Sequence, residues 1–118
     1  DFQRAIEAAI ADGQLDGTVK FYLKGQHVRG KVARTFPEAV SSKKTNAANK
    51  TDEAACEWAL RSALISFQDN AKKHGANAVV DLESFYNKKT NPDSSKYECH
   101  AGTFMAGVAI RGRAAIVQ

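Results

Sequence analysis

Two cysteines, Cys56 and Cys99, and three histidines, His27, His74 and His100, are the side chains in this 118-residue sequence best suited to redox, covalent or metal chemistry. The thiols admit three readings. As zinc ligands they need partners, yet no pair has the short spacing of a structural finger, and the adjacent Cys99 and His100 cannot easily both reach one ion. As a catalytic group, a Cys99 thiolate needs a base such as His74 and an orienting acid, which the sequence neither shows nor excludes. As a disulfide, Cys56 near the start of a long helix and Cys99 just before the last strand would pin helix to sheet. Closing a loop of about 43 residues contributes ~4 kcal/mol in the chain-entropy model. The disulfide reading is preferred and implies an oxidising compartment, with two buried free thiols, a metal site or catalysis as the alternatives.

The segment Gly25-Gln26-His27-Val28-Arg29-Gly30-Lys31-Val32 matches a phosphate-binding P-loop as far as its lysine and follows a strand. Its last position must carry a hydroxyl for Mg²⁺, and Val32 has none. The loop must also open a helix whose amides cradle phosphate, whereas Val32 to Pro37 reads as a strand. ATP, a cofactor and a metal are therefore not expected, and the chain is read as non-enzymatic.

A third constellation is basic. Lys20, Lys24, Arg29, Lys31, Arg111 and Arg113 fall on the outer sheet face with Tyr22, a surface that can attract an anion or nucleic acid. Asp81 and Glu83 share that face and can pair with the arginines, and one tyrosine is a poor stacking platform, so a neutralised face is the stronger reading. Asn49-Lys50-Thr51 is a glycosylation sequon, usable only in a eukaryotic secretory pathway.

The elements that must position these residues follow from periodicity. Phe2, Ala5, Ile6, Ala9 and Ile10 recur at helical spacing and predict a short helix over 2–11. From Thr18 the period is two, with Val19, Phe21 and Leu23 on one face. Gly25-Gln26 offers a hairpin turn, and 27–35 forms a second arm with Val28 and Val32 inward, giving a hairpin over 18–36. Residues 38–50 turn to Ser, Lys, Thr and Asn and read as a solvated, mobile loop. Thr51 then caps a helix over 52–74, where Cys56, Ala59, Leu60, Ala63, Leu64, Phe67 and Ala71 make one apolar stripe. A strand over 77–86 places Val80 and Leu82 opposite Asp81 and Glu83, a polar loop spans Asn87 to Lys96, and a strand or strand pair over 103–117 ends the chain. The expected fold is α+β in two layers: one long helix on a mostly antiparallel sheet of about four strands, with a short N-terminal helix, in a single domain over 1–118.

Composition bounds the rest. With 43% apolar and 25% charged residues and two prolines, the chain is neither disordered nor collagen-like, and its length excludes a multidomain enzyme. Its twenty alanines leave few large side chains for a core, so a covalent staple would matter. The net charge of +4 and pI near 9.2 are only mildly basic. No stretch approaches the ~20 apolar residues of a membrane span. The first residue is not methionine, which a removed signal peptide or a trimmed chain would explain.

From Thr51 onward a resemblance joins these readings. Asp52-Glu53-Ala54-Ala55-Cys56, Gly75-Ala76-Asn77-Ala78-Val79-Val80, Tyr97-Glu98-Cys99-His100-Ala101-Gly102 and Ala106-Gly107-Val108-Ala109 resemble a group of small exported proteobacterial proteins of unknown function, often labelled as an excinuclease ATPase subunit. More distantly, the helix followed by Gly-Ala-Asn-Ala-Val-Val and a strand pair looks like the RcsF/YbjQ-like fold. That resemblance implies a bridge between Cys56 and Cys99, and self-association. Together these readings predict a periplasmic or secreted domain that binds an envelope partner or itself. Anion or nucleic-acid binding, and a Cys/His metal or thiol site, are the alternatives.

Overall fold

A computed structural model describes residues 2–46, 48, 51–85, 99–101 and 104–118. Its elements are α1 (Phe2–Ala11), β1 (Lys20–Leu23), β2 (Val32–Asn46), α2 (Asp52–Lys73), β3 (Ala78–Ser84), β4 (His100–Ala101) and β5 (Met105–Val117). The polar loop expected over Asn87 to Lys96 and the sequon asparagine Asn49 lie outside the described residues.

α2 forms where the sequence supplies both ends. Thr51 Oγ1 accepts a 3.1 Å hydrogen bond from the Ala54 amide, Asp52 and Glu53 meet the positive end of the helix dipole, and Lys72 and Lys73 meet the negative end. Its inner stripe alternates small and large: Ala55, Ala59, Ala63 and Ala71 allow close approach to the sheet, and Leu60, Leu64 and Phe67 fill the space between. α1 buries Phe2, Ala5, Ile6 and Ala9 beside it, so both helices cover the same sheet face.

The five strands form one mixed sheet in the order β1-β3-β5-β2, with β4 paired to the start of β5. Hydrophobicity explains the order. β3 and β5 are buried on both faces and therefore take the centre, whereas β1 and β2 carry lysines and hydroxyls and take the edges. β1 runs parallel to β3, and β5 runs antiparallel to both β3 and β2.

This order replaces the hairpin expected over 18–36. The turn itself forms, with the Gln26 amide donating to the Leu23 carbonyl at 2.9 Å, but β1 and β2 lie at opposite edges. Residues 24–31 instead cross the helix-free face of the sheet. Val28 packs there with Ala78, Val80 and Ala115, and Lys31 exchanges backbone hydrogen bonds with Gln118. Gly30 is required at the end of this crossing: its φ is 104°, and a Cβ would stand 2.5 Å from the Gln118 carbonyl oxygen. Val32, expected inward, is exposed.

The loop expected over 38–50 is corrected as well. β2 continues to Asn46, in unbroken register with β5 from Glu38 opposite Arg113 to Asn46 opposite Met105. An edge strand with one wet face needs few large apolar residues, so its composition is that of a loop.

The alternation expected in the third strand also breaks. Asp81 adopts φ 55°, and three residues of β3 span two of each neighbour, a bulge shared with β1 and β5. Val79 and Leu82 therefore face the helices, while Val80 turns to the open face. Gly112 makes room for the displaced Leu82, whose Cδ2 would lie 2.7 Å from a Cβ at that position.

Candidate functional site

Cys56 and Cys99 lie at disulfide distance, with sulfurs 2.04 Å and Cα atoms 5.8 Å apart. Cys56 sits on the second turn of α2, and Cys99 directly precedes β4. Both pack against Ala55 and Ala106 in a small cluster under the start of the helix. A bond here ties the helix layer to the β4 and β5 side of the sheet across a sequence separation of 43 residues.

The histidines are dispersed around this pair. His74 caps the far end of α2, eighteen residues from Cys56, which at 1.5 Å per residue is about 27 Å away. Its ring stacks on Phe36 of β2 at 4.7 Å. His74 therefore cannot serve Cys99 as a base, and the dyad considered from sequence is not assembled. His27 lies in the crossing segment and His100 in β4. Among the described residues no three His, Cys, Asp or Glu side chains converge as a metal site.

The P-loop-like segment Gly25 to Val32 is this same crossing segment. It runs into β2, so the element after Lys31 is a strand and presents no helical amides to a phosphate.

On the open face the basic residues separate into two groups. Arg111 donates through Nε to Glu83 Oε1 at 2.6 Å, lies 3.5 Å from Glu38 Oε1, and holds its guanidinium 4.9 Å over the Phe85 ring. Lys24 Nζ stands 3.6 Å from Glu83 Oε2. Glu83 is buried, and its Oε2 receives no hydrogen bond. Two of the six candidate cations are thus committed to one buried carboxylate. Arg113 is half-buried and opposes Val80 and Glu38 in register, whereas Lys20 occupies the β1 edge and Arg29 and Lys31 follow the crossing segment. Asp81, expected to pair across strands, sits exposed at the bulge.

No family model and no curated protein matches the chain.

Sequence reasoning missed a polar stripe on α2. Arg61 is buried and donates through Nη1 to Asp12 Oδ2 at 2.6 Å and Gln14 Oε1 at 3.2 Å, and through Nη2 to Glu57 Oε1 at 3.1 Å. Burial presses its pKa down, but its hydrogen bonds to the Asp12 and Glu57 carboxylates, together with their charges, outweigh that effect and hold it above its ordinary value. Two turns further along the same face, Gln68 accepts from the Asp16 amide at 3.1 Å and Lys72 pairs with the Asp16 carboxylate. The Lys72 hydrogen bond, followed by those from the Thr18 hydroxyl and amide, holds the Asp16 carboxyl well below the usual carboxylate range. Arg61, Gln68 and Lys72 thus latch the 12–18 segment between α1 and β1 onto α2. The seven- and four-residue spacing of these polar side chains beside the apolar stripe was the available signal.

Among the described residues no helix is long and apolar enough to cross a membrane.

Proposed function

We propose that this chain is an exported, non-enzymatic domain of the bacterial envelope, of RcsF/YbjQ-like fold, that acts by binding protein: an envelope partner or a second copy of itself. The observation that carries the reading is the Cys56 and Cys99 pair at disulfide distance, bridging helix layer and sheet in a domain whose core is rich in alanine. A staple of this kind persists where the compartment is oxidising and contributes most where the core is small. The internal pairing of Lys24 and Arg111 with Glu83 supports a protein-binding role over an anion-binding one, because it neutralises the centre of the basic face.

The resemblance from Thr51 onward to small exported proteobacterial proteins points the same way. Intact-mass spectrometry of protein prepared without reductant from the periplasm tests the compartment and the bond together. A mass two hydrogens below the reduced chain, with no alkylation by iodoacetamide, is expected. Two alkylated thiols would overturn the reading.

A further inference from the structure

We propose that the outer edge of β2 is a self-pairing surface, joining two copies of this chain as antiparallel neighbours about a twofold axis at Ser41. The inference deepens the self-associating form of the function proposed above and rests on it. Among the described residues, the outer edge of β2 has no strand partner. From Glu38 to Asn46 the strand is free of bulges, so it presents a straight row of backbone donors and acceptors.

The side chains select the partner and the register. Glu38, Val40, Ser42 and Lys44 share the open face and are all exposed. Val40, at 53%, is among the large apolar side chains left in solvent. A twofold axis perpendicular to the sheet keeps every side chain on its own face, so the axis must pass through a residue that meets its own copy. Placing it at Ser41 sets Glu38 opposite Lys44 of the second copy, twice by symmetry. It also sets Val40 opposite Ser42 and diagonal to the other Val40, within side-chain reach.

Other centres fail on the same residues. An axis at Val40 or Ala39 carries Lys44 past Glu38 into the bulged stretch, where it loses the Glu38 carboxylate, and an axis at Ser42 sets Glu38 opposite Asn46. With Ser41 as centre the paired stretch, Glu38 to Lys44, stays inside the unbulged segment and stops before Pro37, which has no amide to donate. The pairing covers Val40 of each copy and places Glu38 before each Lys44. Edge pairing of this length is a small interface, so the dimer is weak and depends on concentration and salt.

Sedimentation velocity at low ionic strength, from micromolar to millimolar protein, tests the register. The native chain is expected to dimerise. Glu38→Lys and Lys44→Glu, each placing like charges in opposition, are each expected to weaken dimerisation at least tenfold. An equimolar mixture of the two variants is expected to recover a heterodimer, because each then supplies the charge that the other lacks, and that recovery also shows both to be folded. A native chain that stays monomeric throughout, or variants that dimerise as the native chain does, would overturn the proposal. A monomer with an intact disulfide removes only the self-pairing, whereas free thiols remove only the exported reading.

Discussion

Glu83, on the open face of the sheet, accepts a 2.6 Å hydrogen bond from Arg111 Nε while only 2% of its side chain meets solvent. Its other oxygen has Lys24 at 3.6 Å and no hydrogen bond. Breaking a buried pair from one side strands the remaining charge, at a cost of about 3–5 kcal/mol. Arg111→Met is expected to fall at the lower end, about 3 kcal/mol, because the exposed Lys24 can close on the carboxylate. Glu83→Gln is expected to cost less, since its amide oxygen still accepts from Arg111 and the guanidinium is partly hydrated. Urea titration of both variants checks this: equal losses would contradict it.

Asp16 ties the 12–18 segment to α2 through Lys72, and its carboxyl is held below the usual range by Lys72 first and Thr18 second. A depressed folded-state pKa means that the contribution is complete above the ordinary carboxylate range and is lost as pH falls through that range and below it. The difference in melting temperature between the native chain and Asp16→Asn is therefore expected to be constant from pH 6 to 8 and to shrink below about pH 4. Both partners are nearly half exposed, so added salt should narrow the difference at neutral pH as well. A difference that widened in acid would reverse the assignment.

The pairing of Cys56 with Cys99 and the α+β architecture were legible because each rests on local signals: a capped helix, a stripe at three- and four-residue steps, and alternating strands. The strand order was not, because it is decided by relative burial across the whole sheet. Val19, Phe21 and Leu23 announce a strand, but nothing near them says that Val79 and Leu82, rather than Val28 and Val32, lie alongside. β2 was hidden for a related reason. With Ser41, Ser42, Lys43 and Lys44 on a half-wet edge, its sequence is that of a loop until β5 is placed beside it. The bulge at Asp81 is a single residue in the left-handed region, and it exchanges the faces of every side chain beyond it. Arg111 and Lys24 could be placed on the open face from alternation, but the burial of Glu83 that claims them depends on its central strand.

The crossing segment over the open face is held at Gly30, where a positive φ coincides with close approach to the Gln118 carbonyl. Gly30→Ala introduces both a left-handed strain, about 1–2 kcal/mol, and a backbone clash that no rotamer relieves. The variant is expected to lose more than Gly25→Ala, where φ is also positive but no atom stands within 4 Å of the new Cβ. Hydrogen exchange should localise the damage: the Lys31 and Gln118 amides, which pair with each other's carbonyls, should lose protection before those of β3. Equal losses from the two glycine variants would show that close approach to Gln118 contributes nothing.

Removing the bridge between Cys56 and Cys99 tests how much the small core depends on it. Alanine is the suitable replacement at both positions, because Ala55 and Ala106 pack against the sulfurs and a serine hydroxyl would add a desolvation cost of its own. In the chain-entropy model, releasing a loop of 43 residues costs about 4 kcal/mol, a large share of the 5–15 kcal/mol of a typical domain and roughly 15 °C in melting temperature. The effect acts on the unfolded chain, so it carries a second signature. The unfolded state of the double variant is less constrained and exposes more surface, and the urea m-value should therefore rise as the midpoint falls. Reductant added to the native chain should reproduce both changes. A midpoint indifferent to reductant would show that the two layers are held by packing alone, through Ala55, Leu60 and Leu64 of α2 against Ala106, Val108 and Ile110 of β5.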